Sequence, residues 1–221
     1  MDFLSNLVQQ VITILYNFTA SLGIANYGLA IILLTIIVKL LLYPLTKKQI
    51  QSTKAMMKLQ PKMKAIQEQY KHDKMEMNKR LADLYKTEDV NPVAGCLPLL
   101  VQMPIFIGIY YGIRDFKYVG PTLFLGVDIT KSAMEMYSAA GLQGALIYFV
   151  LPILSVITTY VQSKQTMPDT SSPQNKIMLN FMPLFMGYLS FTFPTGLVLY
   201  WVVMNLMQIA QQAILNKESD K

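Results

Sequence analysis

The strongest constraint on this chain is one long apolar run that carries a single charge. Residues 29–45 read LAIILLTIIVKLLLYPL, and Lys39 is the one charged side chain among them. A run of this length and composition predicts a helix that crosses a membrane. A charge at the bilayer centre costs from about 2.5 kcal/mol upward, so such residues usually face protein or a water-filled cavity.

Lys39 has two interpretations from its position alone. It lies seven residues before Thr46, where the polar segment begins. At about 1.5 Å per helical residue, this places it roughly 10 Å inside the apolar run. Its long stem can carry the ammonium to the membrane surface. In the other interpretation, the ammonium occupies a polar site within the protein. Depth alone favours neither.

The composition extends the membrane assignment to the whole chain. Of the 221 residues, 53% are hydrophobic and 14% are charged, whereas soluble domains are typically about 25% charged. The sequence therefore predicts an all-α protein with several membrane spans. The net charge of +6 is uneven, since residues 46–91 hold 11 of the 19 Lys and Arg residues.

Several kinds of active site are hard to build from these residues. Cys96 is the single cysteine and His72 the single histidine, so an internal disulfide, a metal cluster or a Ser/His/Asp triad is not expected. No GxxxxGK[ST] phosphate loop is present. We interpret Cys96 as a packing residue, and we predict no enzyme activity, cofactor, metal or small-molecule substrate.

The chain divides into ten segments, according to its hydropathy, its charge and the positions of proline and glycine. The first has apolar residues at helical spacing and polar residues largely opposite, which is typical of a helix in the membrane interface. The predicted order is an interfacial helix (1–25), a first span (26–45), a cytoplasmic helical hairpin (46–91), a second span (93–113), an extracytoplasmic loop (114–140), a third span (141–162), a cytoplasmic loop (163–176), a fourth span (177–193), a fifth span (196–214) and a cytoplasmic tail (215–221).

The hairpin assignment depends on an apolar seam. Its first arm carries Met56, Leu59, Met63, Ile66 and Tyr70 at alternating steps of three and four residues, a heptad-like pattern. A similar stripe follows on a second arm, after a turn near residues 72–73. A basic surface is predicted to cover the outer faces. It comprises Lys54, Lys58, Lys62, Lys64, Lys71, Lys74, Lys79 and Arg80.

Charge also predicts the orientation. With Lys39 left out, fifteen Lys and Arg residues fall on the side of the hairpin and C-terminus, and three fall on the opposite side. Basic loops favour the cytoplasm. Five spans then place the N-terminus outside and the C-terminus inside, which is self-consistent.

Five stretches together are similar to the YidC family of membrane-protein insertases, which has relatives in mitochondria and chloroplasts. They occur in the family's order and run through most of the chain. They are TIIVKLLLYPLTKKQ (35–49), MMKLQPKMKAIQEQY (56–70), LYKTEDVNPVAGCLPLLVQMPIF (84–106), LPILSVITTYVQ (151–162) and NFMPLFMGYLSFTFPTGLVLYWVVMN (180–205).

The resemblance implies five spans around a polar groove that opens to the cytoplasm and lipid and is closed on the outer side. The family's groove carries a basic residue, usually arginine, and the matching position here is Lys39. Thr35 and Trp201 match positions associated with substrate contact. From the residues alone, Thr35 could instead bond its own helix backbone, and Trp201 could be a packing residue or interfacial anchor.

Three glutamines in or beside the spans are weaker candidates for the groove. They are Gln102, Gln143 and Gln162. Amide side chains at such positions commonly bond between helices, and we favour that interpretation. Gln143 is the one that could instead line the groove.

The resemblance therefore implies a membrane-protein insertase and folding chaperone of a bacterial cytoplasmic membrane. Expected partners are the lipid bilayer, nascent membrane proteins with short or acidic outer tails, the ribosome, the signal-recognition-particle receptor and the Sec translocon. The five-span form without a large outer domain is typical of Gram-positive-type members. The alternatives are a passive assembly scaffold and, less favoured, a small-solute transporter.

Overall fold

The structure is a computed structural model that describes residues 2–90, 97–166 and 173–219, so Cys96 lies outside the described residues. It is mostly helical. Its elements in chain order are α1 (Asp2–Ser21), α2 (Tyr27–Leu41), α3 (Tyr43–Gln69), α4 (Lys74–Thr87), α5 (Leu97–Arg114), β1 (Leu123–Phe124), β2 (Val127–Asp128), α6 (Ala133–Ala145), a 3-10 helix (Leu146–Phe149), α7 (Val150–Thr166), α8 (Pro173–Thr192) and α9 (Thr195–Ser219). The chain forms two compact units, residues 1–41 with 104–221, and residues 42–103.

The first unit has a core built from apolar faces of α1, α2, α5 and α9. Its most deeply buried side chains include Ile12, Ile31, Ile109, Leu197 and Tyr200. Helices α2 and α9 contribute most because their sequences are apolar on several sides, so each can contact more than one neighbour.

Close packing of α1 against α5 depends on two glycines one turn apart. A Cβ atom at Gly108 would lie 3.0 Å from Leu4 Cβ, and one at Gly112 would lie 2.5 Å from Val8 Cγ1. Small residues four apart allow helices to approach closely. Another side of α1 exposes Phe3 and other large apolar residues. The interfacial location of this helix stays a prediction.

The segment predicted as the loop 114–140 contains more regular structure than expected. Strands β1 and β2 pair in antiparallel register around Leu125 and Gly126, which both have positive φ, as a tight two-residue hairpin requires. Helix α6 then begins at Ala133. The loop assignment is therefore wrong for residues 133–140.

A capping box explains the early start of α6. The backbone N–H of Glu135 donates to Ser132 Oγ at 3.1 Å, and the N–H of Ser132 donates to Glu135 Oε2 at 2.7 Å. This reciprocal pair satisfies two N–H groups that a helix start would otherwise leave unbonded. The Ser-x-x-Glu spacing is visible in the sequence and was the signal that the loop assignment overlooked.

Only some of the five predicted membrane spans correspond to helices that are long and apolar enough to cross a membrane. Among the described residues, Ala133–Thr166 and Thr195–Lys217 each pass as a candidate span, and α2 with α3 would make a third if they count as one. The first of these is interrupted at Gly141, which has φ of 65°. The chain is thus a helical membrane protein, and its five-span count stays a prediction.

The fifth predicted span continues further than its predicted end at residue 214. Helix α9 extends to Ser219, and Leu215 is buried within the first unit. Residues 215–219 are therefore helical, and only the residues beyond Ser219 lie outside the described part of the predicted tail. Burial of Leu215 stabilises this last helical turn although the sequence there is polar.

The turn before α9 is joined by hydrogen bonds to residues 129–131. The N–H and the hydroxyl of Thr195 both donate to the carbonyl of Lys131, at 2.9 and 2.6 Å. The N–H of Gly196 donates to the carbonyl of Ile129 at 2.8 Å. These bonds satisfy N–H groups in the first turn of α9 that have no partner within the helix.

An aromatic cluster lies at the same end of the first unit. Tyr27 stacks on Tyr16 with ring centroids 4.0 Å apart and meets Phe116 and Tyr118 edge to face. The hydroxyl of Tyr27 accepts a bond from the N–H of Val119 at 3.0 Å. Burial raises the pKa of Tyr118, so this phenol remains protonated and donates to a backbone carbonyl.

The second unit contains the predicted helical hairpin. Helix α3 runs without a break through Pro61. Asp73 caps α4 by accepting bonds from two backbone N–H groups. Contacts of Met63 with Tyr85 and of Lys62 with Glu88 join the two arms in antiparallel order.

Candidate functional site

Lys39 lies in the last turn of α2 and points into the protein. The residue is 6% exposed, and its ammonium donates a hydrogen bond to Oε1 of Gln208 on α9. The side chain therefore does not extend outward. This contradicts the interpretation in which its long stem carries the ammonium to the membrane surface. A buried charge needs polar partners, and α9 supplies one.

Helix α9 carries a polar face that sequence analysis did not identify as a unit. Trp201, Asn205, Gln208 and Gln212 recur at steps of four, three and four residues, so they share one side of the helix. We call these four residues the α9 polar face. Their spacing was visible in the sequence, but the apolar residues between them concealed it.

The α9 polar face is held against α7 by hydroxyl and carbonyl groups. The amide of Asn205 donates to Oγ1 of Thr158 and of Thr159, at 3.2 and 3.0 Å. Further along, the amide of Gln212 donates to the carbonyl of Gln165 at 2.9 Å. This arrangement satisfies buried amides between helices, where an unpaired polar group would be costly.

Trp201 is a half-buried member of this network. Its indole N–H donates to Thr159 Oγ1 at 3.2 Å, and its ring meets Phe106 of α5 edge to face, with centroids 5.7 Å apart. Both contacts lie within the protein, which matches the packing interpretation. Its association with substrate stays a prediction.

Thr159 accepts hydrogen bonds from two buried donors, and Thr159→Val is expected to destabilise the protein. The valine has a similar shape, but it leaves the indole N–H of Trp201 without its acceptor and removes one of the two acceptors of Asn205. We expect a loss of about 1–3 kcal/mol of unfolding free energy. Unfolding in detergent can be followed by fluorescence of Trp201, the chain's one tryptophan.

The control for that substitution is Thr192→Val, since Thr192 is exposed and bonds its own helix. Its effect should remain within about 0.5 kcal/mol. Equal stabilities of Thr159→Val and the control protein would contradict the role of the Thr159 hydroxyl.

Thr35 is fully buried, and its hydroxyl donates to the carbonyl of Ile31 at 2.7 Å. It therefore adopts the backbone-bonded alternative. A substrate could reach this hydroxyl only after α2 or its neighbours moved. The substrate-contact role of Thr35 stays a prediction that the present geometry does not favour.

The three weaker glutamine candidates lie in different places. Gln143 is exposed on α6 just after the break at Gly141, Gln162 is half-buried on α7, and Gln102 is half-buried on α5 in the second unit. Among the described hydrogen bonds, none joins Gln143 or Gln162 to Lys39 or Trp201. Their groove role stays a prediction.

Two further glutamines show that the site is polar and incompletely satisfied. Gln211 is 7% exposed, and both polar atoms of its amide lack a hydrogen-bond partner. Oε1 of Gln165 also lacks one. Buried groups of this kind are rare in folded proteins and require an explanation such as water or a ligand.

The predicted basic surface lies on the two arms of the hairpin in the second unit. Six of its eight members are exposed, whereas Lys54 and Lys64 are half-buried. Arg80 pairs with Glu76 at 2.9 Å, one turn apart on α4. Leu59 is the most buried residue of the seam. The described residues contain no group of three or more His, Cys, Asp or Glu side chains that could hold a metal ion.

Comparison with known proteins identifies the family. Residues 17–221 match a family described as the 60Kd inner membrane protein. "Membrane protein insertase YidC" of Geobacter metallireducens is 41% identical over 192 residues, which cover 87% of this chain and 34% of that protein. The protein of the same name from Haemophilus influenzae is 40% identical over 198 residues, covering 90% and 35%.

A solved structure agrees with these relatives. "Active YidC insertase crystal structure with the first transmembrane domain resolved" has a TM-score of 0.65 and 27% sequence identity, and covers 93% of this chain and 45% of that one. The chain spans about a third of the length of the two sequence relatives. It is a multi-pass protein of the cytoplasmic membrane, and it belongs to the 60Kd inner membrane protein family, that of the YidC insertases.

Proposed function

We propose that this chain inserts and assists the folding of membrane proteins, using Lys39 and the α9 polar face as the path for polar tails. The observation that carries the proposal is a buried lysine ammonium directed at a helix face of amides and an indole. Its family relatives bear the name of membrane protein insertase, which supports the same activity here.

The mechanism follows from the cost of moving charge through lipid. An inserting protein gains free energy when its apolar helix enters the bilayer, while its polar outer tail resists transfer. A polar site about 10 Å inside the membrane shortens the apolar distance that the tail must cross. Lys39 attracts the tail's carboxylates, and the unbonded amide of Gln211 on α9 offers hydrogen bonds to its backbone. No covalent bond is made or broken.

The apolar helix of the substrate would leave sideways into lipid. Large apolar side chains of α2 are exposed on the first unit, including Ile37, Leu40 and Leu41, and α9 exposes Leu206 and Ile214. An apolar exit beside a polar path suits a substrate with both kinds of segment. Five spans in the N-out, C-in orientation belong to this proposal, supported by the charge distribution. The Gram-positive-type assignment stays a prediction.

The basic hairpin is proposed to meet the membrane surface and the synthesis machinery. Each basic residue near an anionic surface contributes about 1 kcal/mol of attraction. The exposed lysines on both arms support binding to lipid headgroups, and ribosomal RNA presents the same phosphate chemistry. Nascent membrane proteins, the signal-recognition-particle receptor and the Sec translocon complete the proposed partners.

Insertion into liposomes tests the proposed function. The substrate is a small single-span protein with an acidic N-terminal tail, and protection of that tail from protease measures insertion. We expect wild type and Lys39→Arg to protect the tail well above empty liposomes, whereas Lys39→Ala falls about tenfold because no cation draws the carboxylates inward. Substrate binding without protection would indicate a passive scaffold, and saturable solute flux would indicate a transporter.

A further inference from the structure

The ammonium of Lys39 is bonded to a neutral group and not to a carboxylate. Its described partner is the amide oxygen of Gln208. Helix α2 contains no Asp or Glu, and of the two helices that pack against it, α1 contains only Asp2 and α9 contains only Glu218, ten residues beyond Gln208. None of the ion pairs among the described residues includes Lys39, although buried cations are usually paired with an anion. Among the described residues, this buried cation therefore has a neutral partner and no ion pair with a carboxylate.

A neutral partner makes the ammonium exchangeable. The bond from an ammonium to an amide oxygen has a charge on one side only, whereas a bond from an ammonium to a carboxylate joins two opposite charges, whose attraction a low dielectric strengthens further. An incoming carboxylate can therefore replace the amide oxygen of Gln208. A resident carboxylate would resist the exchange, because the old and new partners would be chemically alike.

The position of Gln208 is fixed by its neighbours on α9. Asn205 and Gln212 lie one turn before and one turn after it, and both donate hydrogen bonds to α7. Gln208 is the member of the α9 polar face whose described bond goes to α2. The acceptor is thus held at one place facing Lys39.

Unused hydrogen-bonding capacity lies beside this pair. Gln211 is three residues from Gln208, so the two are neighbours on the helix surface. Its buried amide has neither its donor nor its acceptor bonded. An unpartnered buried amide requires an explanation such as water or a polar ligand, and either would lie beside the Lys39–Gln208 pair.

We propose that Gln208 holds the ammonium of Lys39 between insertion events and yields it to the carboxylates of acidic substrate tails. Gln208 is then a positioning residue that sets the preference for acidic over neutral tails. This inference rests on the proposed function, and it assigns the selectivity of the site to a residue on the opposite helix.

The test measures a ratio rather than an activity. Insertion rates into liposomes are compared for one single-span substrate with an acidic tail and for the same substrate with each tail Asp and Glu changed to Asn and Gln. In Gln208→Glu, the new carboxylate retains the ammonium. We expect the acidic-to-neutral rate ratio to fall about tenfold from wild type.

Two variants and one control make the result specific. Gln208→Leu removes the competing acceptor, so its ratio should equal or exceed that of wild type. Lys39→Gln should abolish the preference. Gln10→Glu adds the same charge at an exposed position of α1 and should leave the ratio unchanged.

Other outcomes separate the two proposals. A wild-type ratio in Gln208→Glu, together with a lost preference in Lys39→Gln, overturns the role of Gln208 and leaves the proposed function intact. An equal fall for both tails in Gln208→Glu also overturns it, because that result indicates a structural role. If Lys39→Gln keeps the wild-type preference, the proposed function itself fails.

Discussion

Lys39→Glu is expected to lower insertion of an acidic-tailed substrate by about a hundredfold. At about 4 Å and an effective dielectric constant near 20, two unit charges interact by about 4 kcal/mol, and the substitution changes the sign of that term. Solvent screening and structural relaxation reduce much of this interaction energy, so we expect a decrease of about a hundredfold in insertion to remain. Protease protection in liposomes, compared with Lys39→Arg, measures the effect.

The matched substrate carries a basic tail in place of the acidic one. Lys39→Glu should insert it better than wild type does, because the buried charge and the tail now attract. Such a reversal cannot result from general unfolding, which would lower both rates together. Equal losses for acidic and basic tails would contradict an electrostatic role for Lys39.

Gly28→Val is expected to be the most destabilising of the substitutions considered. A Cβ atom at Gly28 would lie 2.2 Å from Cγ and 2.7 Å from Cβ of Phe124, so neither ring rotation nor a small shift can make room. Phe124 belongs to the β1–β2 hairpin, which must move away from α2. We expect a loss of about 3 kcal/mol, measured by denaturant unfolding followed through Trp201 fluorescence.

A double-mutant cycle with Phe124→Ala tests the cause. If the steric conflict is with this ring, the double variant should recover about 1–3 kcal/mol relative to the sum of the single effects. Phe124→Ala alone is also expected to destabilise the protein, because it removes an apolar contact of the core. Additive effects would show that Gly28 matters for another reason.

Some local features of the fold could be predicted because they depend on nearby residues. The apolar helix α2 and the apolar seam of the hairpin follow from composition and spacing alone. The start of α6 could also have been predicted, since Ser132 and Glu135 form a capping box within four residues. It was missed because the predicted loop was assigned from its charges.

The residues at which helices end or break were harder to predict from the sequence. Helix α9 continues to Ser219 through a polar stretch, and burial of Leu215 supports it. The break at Gly141 divides a segment that hydropathy alone merges into one span. At the end of α9 local propensity is weak and burial of Leu215 decides, whereas at Gly141 the break depends on the positive φ that glycine permits.

The candidate site was also determined partly by the sequence and partly by the tertiary structure. That a single cation lies within an apolar membrane helix was determined by the sequence, which left open whether the ammonium reaches the membrane surface or occupies a polar site within the protein. The tertiary structure decided that it is buried and which group accepts its hydrogen bond. Gln208 lies 169 residues away along the chain, and only the packing of α2 against α9 brings the two together, since side-chain hydrogen bonds depend on distance in space and not on separation in sequence.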